Sequence, residues 1–234
     1  MTQTRILEIR FRNPLPFALI PAFRGAVASE SGFKNILFHN HIDTGYRYRY
    51  PLIQYKRIGG CPALICINDG VDEVYEFFRK RKQSVFLNGH HYPLDIGDIS
   101  LRTWRIDRQY FRHRYFMSNW MALNQVNYQR FKILKSEEDR IELLEGILAG
   151  NIKSMGKGLG IWFERPPEVK IHPRPEFRNG KFKNKNVILF HVEFSCNVSI
   201  PNYLGLGKGV STGYGVLHHL KKEERLDTSI KAMA

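Results

Sequence analysis

The segment at residues 205–215, GLGKGVSTGYG, restricts this chain more than any other stretch, because five of its eleven residues are glycine. Glycine has no side chain to bury and is costly to order, so we expect the segment not to pack a core. It suits a place where the backbone approaches something bulky. Backbone N–H groups beside a lysine and two hydroxyls suit a phosphate chain. The residues predicted at phosphate are Gly205, Gly207, Lys208, Ser211, Gly213 and Gly215.

Two better-known glycine motifs do not fit this segment. A P-loop requires Ser or Thr after its lysine, whereas Lys208 is followed by Gly209. A dinucleotide fingerprint requires Gly-x-Gly-x-x-Gly at the start of a helix, and neither Gly205 nor Gly207 begins that spacing. We therefore predict no nucleotide cofactor, and no other cofactor is indicated.

Three motifs together resemble the CRISPR repeat-processing endoribonucleases of the repeat-associated RNA-binding superfamily. The glycine segment is similar to the loop that closes these enzymes near the C-terminus. Residues 38–41 (FHNH) and 46–56 (YRYRYPLIQYK) are similar to the histidine and tyrosine segment of the family's "b" branch. Residues 151–153 (NIK), leading into 156–160 (GKGLG), are similar to a motif at the same place in the family. The resemblance spans most of the chain.

This resemblance implies an α+β fold of two tandem ferredoxin-like (RRM-like) units with a C-terminal glycine-rich loop. It also implies a metal-independent endoribonuclease that cuts CRISPR repeat RNA, leaving 2′,3′-cyclic phosphate and 5′-hydroxyl ends. The matured guide RNA would then pass to an interference complex, with a type I complex as the candidate partner.

The charge balance favours a polyanionic partner. The chain has 36 Lys and Arg residues against 22 Asp and Glu, which gives a net charge of +14 and a pI near 9.8. No apolar run reaches the roughly 18 residues of a membrane-spanning helix. The N-terminus alternates charged and apolar residues, unlike a signal peptide. We therefore expect nucleic acid rather than a membrane as partner and a cytoplasmic location, while monomer and homodimer both stay open.

Metal and disulfide chemistry are not indicated. The three cysteines are an odd number, which argues against a disulfide framework. Cys61, Cys66 and the pair His90–His91 fit no usual zinc spacing. Metal-dependent hydrolysis needs clustered carboxylates, and Asp43 is the only one near the candidate histidines. We predict no metal site.

Alternation and capping signals predict a β-α-β-β-α-β order in the first half, which is the ferredoxin-like unit. The second half repeats that plan less clearly, and its periodicity alone is ambiguous. The resemblance favours a second unit there. We therefore predict an N-terminal unit at 1–115 carrying the candidate histidines and a C-terminal unit at 116–234 carrying the glycine loop. The predicted elements are strands 4–11, 46–58, 63–67, 102–115, 159–164 and 214–218, another strand from Ile99, helices 21–29, 69–82, 119–134 and 137–148, and a hairpin of 169–177 with 181–197.

Turn and cap residues set the boundaries in the second half. Ser136 with Asp139 predicts a capping box, and Gly150 predicts the end of that helix. Asn179–Gly180 predicts the turn of the hairpin.

Two histidines are the candidate catalytic groups. His39 and His41 lie between a predicted helix and a strand rich in Tyr and Arg, whereas the other histidines fit structural or phosphate-contact roles. Cleavage by the RNA's own 2′-hydroxyl needs a base, an acid and positive charge. Imidazole suits either proton task, since its ordinary pKa is about 6.5. Which histidine is the acid and which the base stays open.

The family pairs a histidine with a tyrosine seven residues later. That spacing fits His41 with Tyr48 and His39 with Tyr46 equally, and we prefer the first pair. In a regular strand, Tyr46 and Tyr48 share one face and the intervening arginines point to the other. The ordinary alternative is a half-buried strand with an aromatic core face. Charge for the transition state is predicted from Lys34, Arg47, Arg49 and Lys56.

Further RNA contacts are predicted in a basic run at 102–114. Arg105 and Arg112 are the chosen residues, and Asp107 is the only opposing carboxylate within the run. Interleaved aromatic residues favour contact with unstacked bases over a merely solvated face. The basic hairpin at 170–185 is a second candidate contact.

Three function classes remain, in decreasing order of preference. The first is a CRISPR repeat endoribonuclease. The second is a non-catalytic RNA-binding subunit of a CRISPR ribonucleoprotein complex, with the same loop and basic surface but no active histidine. The third is a duplex-DNA-binding regulator, for which no recognition-helix pattern is found.

Overall fold

The computed structural model describes residues 3–31, 41–42, 45–46, 50–79 and 84–220. These residues form two compact units. The first runs to Arg105 and also includes Ser211–Gly213. The second comprises Ile106–Val210 and continues from Tyr214.

The boundary lies ten residues before the position expected from the sequence. One strand, Arg108–Trp120, crosses the predicted boundary after Tyr115. Tyr115 is fully buried in that strand and donates a hydrogen bond from its hydroxyl to the carbonyl oxygen of Val198. The whole strand therefore belongs to the second unit.

The first unit is a four-stranded antiparallel sheet with two helices. Its sheet order is β4-β5-β1-β8, which is the order of a ferredoxin-like β-α-β-β-α-β unit. A separate hairpin, β6 with β7, is added before the last strand. The elements are β1 (Thr4–Phe11), a 3-10 helix (Phe17–Leu19), α1 (Ile20–Ser31), β2 (His41–Ile42), β3 (Gly45–Tyr46), β4 (Ile53–Ile58), β5 (Cys61–Ile67), α2 (Asp69–Arg79), β6 (Ser84–Leu87), β7 (His90–Pro93) and β8 (Ile96–Trp104).

Alternation along β1 explains how this sheet buries one face. Ile9 and Phe11 point into a core that Phe23 of α1 and Phe77 of α2 complete from the other side. Full burial of such a side chain contributes roughly 1.5–3 kcal/mol.

The predicted strand 46–58 is not continuous. β3 and β4 are separate, and residues 50–52 between them are not in a strand. Pro51 has no N–H to donate to a sheet ladder, which explains the interruption.

A short piece of the glycine segment extends the first sheet at its β4 edge. Thr212 forms a parallel bridge to Tyr55, and the Tyr55 N–H donates to the Ser211 carbonyl oxygen at 3.3 Å. Tyr55 is fully buried. The first unit is thus completed by residues from near the end of the chain.

The second unit repeats the sheet order but lacks one helix of the ferredoxin-like plan. Its antiparallel order is β10-β11-β9-β12. Residues 199–215, all described, join β11 to β12 without a helix. The glycine loop stands where the second helix of the plan would be. The elements are β9 (Arg108–Trp120), α3 (Gln125–Ile133), α4 (Glu137–Gly158), β10 (Val169–Phe182), β11 (Lys185–Val198) and β12 (Val216–Leu220).

Helix α4 begins as expected and ends later. The Ser136 hydroxyl accepts a hydrogen bond from the Asp139 N–H at 3.0 Å, which is one of the two bonds of the predicted capping box. Gly150 does not end the helix, because Ile152 and Met155 continue the buried stripe beyond it. The predicted strand at 159–164 is a loop. None of the helices in the described ranges is both long and apolar enough to cross a membrane.

The β10–β11 hairpin turns at Lys183–Asn184 rather than at Asn179–Gly180. Both turn residues have positive φ, 48° and 60°, as a two-residue hairpin turn of this kind requires. Gly180 lies inside β10, where a Cβ would stand 2.6 Å from Leu189 Cδ1. Glycine at position 180 therefore fits the close cross-strand packing against Leu189 and does not form the turn.

Candidate nucleic-acid interface

Most of the glycine loop, residues 205–215, is packed into the protein. Leu206 and Val210 are buried, so the expectation that this segment does not pack a core is wrong for its apolar residues. The buried part cannot contact a ligand, which restricts any phosphate contact to the apex. Of the six residues predicted at phosphate, Gly205, Gly213 and Gly215 are buried, Ser211 is half-buried, and Gly207 and Lys208 are exposed.

Two glycines are required by close approach within the protein. Gly207 has a φ of +87°, and a Cβ there would lie 2.8 Å from Trp120 Nε1. Gly215 has a φ of +60°, and a Cβ would lie 2.0 Å from the Leu206 carbonyl oxygen. From the sequence we expected these glycines to allow close approach of a ligand. In the structure the closely approaching atoms belong to Trp120 and Leu206 of the chain itself.

Hydrogen bonds inside the loop use some of its backbone donors. The Leu206 N–H donates to the Gly215 carbonyl oxygen at 2.9 Å, and the Gly215 N–H donates to the Asn119 carbonyl oxygen at 3.1 Å. These two N–H groups are therefore not available to phosphate.

Phe182, at the end of β10, lies near a lysine of the hairpin and a lysine of the glycine loop. The ammonium groups of Lys183 and Lys208 each lie 6.0 Å from the centre of its ring, at the limit of cation–π contact. Lys181 and Lys185 are exposed at the same end of the hairpin. We call Lys181, Lys183, Lys185 and Lys208 the lysine cluster. Four cationic side chains at one place attract a phosphate backbone.

The arginines of β9 are paired with carboxylates. Arg108 and Arg112 both donate to Glu168, at 2.5 and 3.2 Å, and Arg114 pairs with Glu193. The expectation that Asp107 alone opposes this run therefore does not hold in the folded chain. Part of the positive charge of this surface is therefore already neutralised within the folded chain.

The remainder of the basic run offers exposed groups. Arg105 is exposed, and so are Tyr110 and Phe111, whose rings lie within the run. Exposed aromatic rings can stack unpaired bases. Tyr110 and Phe111 are therefore available for stacking, although the arginines of the same strand are paired with carboxylates.

The prediction that Lys56 contacts phosphate is wrong. Its side chain on β4 has a relative exposure of 0%, so it cannot reach a phosphate at the surface. Burial lowers the pKa of Lys56 to about 7 from 10.5, because the charged form is disfavoured away from water.

The candidate catalytic segment is described in part. His41 of β2 is paired with Tyr46 of β3 in an antiparallel register, so these two positions lie opposite one another. The arrangement joins one member of each predicted histidine–tyrosine pair. The other predicted residues of the segment lie outside the described residues: Lys34, His39, Arg47, Tyr48 and Arg49.

The described part of the chain holds no group of three or more His, Cys, Asp or Glu residues that could bind a metal ion. Cys61, Cys66 and Cys196 are free thiols. Burial raises the pKa of the Cys66 and Cys196 thiols, which keeps them protonated near neutral pH.

Two family models match consecutive parts of the sequence. The Cas6b N-terminal domain matches residues 2–105, and the Cas6b C-terminal domain matches residues 106–220. The chain belongs to the Cas6b family. A curated relative, an uncharacterized protein of Methanocaldococcus jannaschii, is 44% identical over 100 residues, which are 43% of this chain and 67% of that protein.

Solved structures of Cas6b are similar over nearly the whole length. One, described as Cas6b, has a TM-score of 0.85 at 29% identity and covers 94% of this chain and 100% of that chain. Another, described as the CRISPR RNA processing endoribonuclease Cas6b, has a TM-score of 0.73 at 28% identity with the same coverage. A type IV Cas6 crRNA endonuclease, at 12% identity and a TM-score of 0.55, shares the fold.

The two Cas6b domains meet at the same point as the two compact units, between Arg105 and Ile106. Two residues of the second Cas6b domain that contribute to this surface were not predicted from the sequence. They are Phe182, whose ring lies beside Lys183 and Lys208, and Asn119, which accepts a hydrogen bond from Arg178. Phe182 could have been predicted, because an aromatic residue among Lys181, Lys183 and Lys185 is typical of a nucleic-acid contact. Asn119 has no such signal, because its role depends on contacts across the sheet.

Proposed function

We propose that this Cas6b-family chain is an endoribonuclease that cuts CRISPR repeat transcripts. The match of both Cas6b domains across residues 2–220 carries the proposal. The similarity to a solved CRISPR RNA processing endoribonuclease supports the same activity class. A surplus of 14 positive charges suits the RNA substrate.

We further propose that cleavage proceeds by attack of the RNA's 2′-hydroxyl, without a metal ion. His41 or His39 takes the proton from that hydroxyl, and the other histidine protonates the departing 5′-oxygen. Tyr48 or Tyr46 hydrogen-bonds the phosphate. Each cut leaves a 2′,3′-cyclic phosphate on one fragment and a 5′-hydroxyl on the other, so atoms and protons balance without water.

The histidines and basic residues of this segment support the proposed chemistry. Imidazole titrates near neutral pH and can serve as base or acid. Lys34, Arg47 and Arg49 stand in the same stretch of sequence and supply charge for the transition state.

RNA binding is assigned mainly to the lysine cluster. Lysines from the hairpin and from the exposed loop apex meet around Phe182, where they can bind phosphates without entering the reaction. The exposed Gly207 lets a backbone phosphate approach beside Lys208. Arg105 in the first unit and Arg112 in the second are proposed as separate further contacts, and Arg112 shares Glu168 with Arg108.

The test uses labelled repeat RNA and purified protein in excess EDTA. We expect cleavage to continue, with 2′,3′-cyclic phosphate ends identified by mass spectrometry. A single 2′-deoxyribose on the 5′ side of the cut should abolish cleavage and leave binding unchanged. Loss of activity in EDTA that magnesium or manganese restores would contradict the mechanism.

Binding without any cleavage would leave a non-catalytic RNA-binding subunit as the function. Transfer of the product to a type I interference complex is a separate proposal, tested by co-purification of the chain with that complex from the native cell.

A further inference from the structure

Strand β9 contains a β-bulge at Ser118–Asn119. Phe190 of β11 pairs with Trp120, and Val192 pairs with Met117, so three steps along β9 face two steps along β11. Asn119 has a φ of 51°, in the left-handed region that Asn tolerates better than most residues. A bulge bends a strand and redirects a side chain out of the regular alternation.

The redirected Asn119 joins the two segments that carry the lysine cluster. Its side-chain Oδ1 accepts a hydrogen bond from Arg178 Nη2 at 2.6 Å, and Arg178 belongs to β10 of the hairpin. Its carbonyl oxygen accepts from the N–H of Gly215, at the end of the glycine loop. Asn119 is buried at 3% exposure, so its two acceptor oxygens are shielded from competing water, while the Arg178 side chain that donates to Oδ1 is exposed.

Tyr214 forms a second link between loop and hairpin. Its hydroxyl donates to the Lys181 carbonyl oxygen at 3.2 Å, and its ring meets Phe182 edge to face at 5.4 Å between centroids. Phe182 is the ring around which Lys183 and Lys208 lie. The loop and the hairpin tip are therefore fixed to each other at two points.

We propose that Asn119 is a positioning residue for RNA binding, which holds the hairpin and the glycine loop so that the lysine cluster meets phosphates as one preformed surface. This rests on the proposed function of that cluster. Ordering two independent segments at the moment of binding costs conformational entropy, and a link made in the folded protein removes part of that cost. Asn119 itself needs no contact with RNA.

Two substitutions at position 119 separate the side chain from the backbone. Asn119→Gly keeps the positive φ and removes the acceptor for Arg178, while Asn119→Asp keeps the acceptor. Affinity is measured by fluorescence anisotropy with 2′-O-methylated repeat RNA, which cannot undergo 2′-hydroxyl attack, over a series of salt concentrations. We expect Asn119→Gly to weaken binding by about 5- to 10-fold and Asn119→Asp by less than about twofold.

The salt dependence distinguishes positioning from a loss of fold. Asn119→Gly removes no charge, yet it should make the log–log slope of affinity against salt shallower by roughly 0.7, the change expected when one phosphate is no longer bound. A change in stability alone lowers the fraction of active protein and leaves that slope unchanged. An unchanged slope, or an unchanged affinity, overturns the proposal.

A double-mutant cycle with Lys208→Ala completes the test. We expect Lys208→Ala to weaken binding less in the Asn119→Gly background than in the wild type, because the hairpin is then no longer held through Arg178 beside the loop that carries Lys208. Additive effects overturn the role of Asn119 and leave the lysine cluster standing. If Lys208→Ala alone has no effect, the proposed RNA-binding role of the cluster fails instead.

Tyr214→Phe repeats the cycle at the second link should Asn119→Gly not fold. It removes the hydroxyl bond to Lys181 and keeps the ring against Phe182. We expect a smaller loss of affinity, again less than additive with Lys208→Ala. Additivity here overturns the coupling of loop and hairpin.

Discussion

The second unit presents two basic surfaces that look alike in the sequence and differ in the folded chain. In β9, Arg108, Arg112 and Arg114 each face a carboxylate that folding brings to them. In the lysine cluster, Lys183 and Lys208 face the ring of Phe182. The difference shows that the positive charge available to RNA depends on what each cation already contacts.

The contrast has an energetic consequence. An arginine in an ion pair must leave or share its carboxylate before it binds phosphate, and that exchange offsets part of the new attraction. A lysine over an aromatic ring keeps its charge uncompensated by that contact. Because four lysines also stand together at one end of the hairpin and the loop apex, we expect the lysine cluster to dominate affinity.

The largest effect is expected from His41→Ala, which separates cutting from binding and so allows RNA binding by the two basic surfaces to be measured alone. We expect single-turnover cleavage to fall by about 10²- to 10⁴-fold, the usual share of one proton-transfer group. His39→Ala should reduce it less. Binding to repeat RNA should stay normal, which provides uncleaved complexes for comparing the two basic surfaces. Wild-type rates from both variants would contradict a catalytic role for this segment.

Combined replacement of Lys181, Lys183 and Lys208 by alanine should weaken RNA binding by about one to two orders of magnitude. The salt slope should become shallower by roughly 0.7 for each phosphate that the variant no longer binds. At saturating protein the cleavage rate should recover to near wild type, since these groups position the RNA without performing the reaction. Lys135→Ala, at an exposed position that is not part of the cluster, removes a single charge and is the matched control for Lys208→Ala alone. Equally weakened binding in Lys208→Ala and Lys135→Ala would show that only total charge matters, and the lysine cluster would lose its special role.

Glu168→Gln should have a smaller effect of opposite sign. It releases Arg108 and Arg112 from their shared carboxylate, and we expect RNA affinity to rise by about threefold, in line with the modest strength of exposed ion pairs. Glu164→Gln removes the same charge elsewhere in the same loop and serves as the control. If Glu168→Gln weakens binding, the pairs orient the arginines for RNA rather than neutralise them.

Lys56→Met should leave the salt slope of RNA binding unchanged, because a buried lysine makes no phosphate contact. Its effect should be on stability. The folded chain holds the Lys56 proton less tightly than the unfolded chain, since burial lowers its pKa to about 7 from 10.5. The wild-type free energy of unfolding should therefore gain a contribution as pH rises from about 7 towards 10.5. Urea titrations across that range should show this gain in the wild type and its absence in Lys56→Met.

Local signals predicted the fold well where local forces decide it. The strand β1 and the hydrogen bond at Ser136 depend on neighbouring residues, and both are present in the structure. The two-unit plan followed from the family resemblance, which the Cas6b domain matches confirm. The Asn179–Gly180 prediction was wrong because close packing against Leu189, on the opposing strand, also favours a glycine.

The candidate site was harder to predict because its partners are distant in sequence. Glu168 lies 60 and 56 positions from Arg108 and Arg112, and Glu193 lies 79 positions from Arg114. No window of sequence contains both members of these pairs. A lysine in a strand rich in polar residues reads as exposed in the sequence, and only the folded structure shows that Lys56 is buried together with Gln54 and Tyr55.

The bridge between Thr212 and Tyr55 has a consequence for biosynthesis. Chains emerge from the ribosome N-terminus first, and most N-terminal units can fold before the rest is made. Here the β4 edge receives its last partner only when residues 211–213 have been translated. A nascent chain that stops at the boundary after Arg105 therefore carries an incomplete first unit, and so does any expressed fragment that ends there.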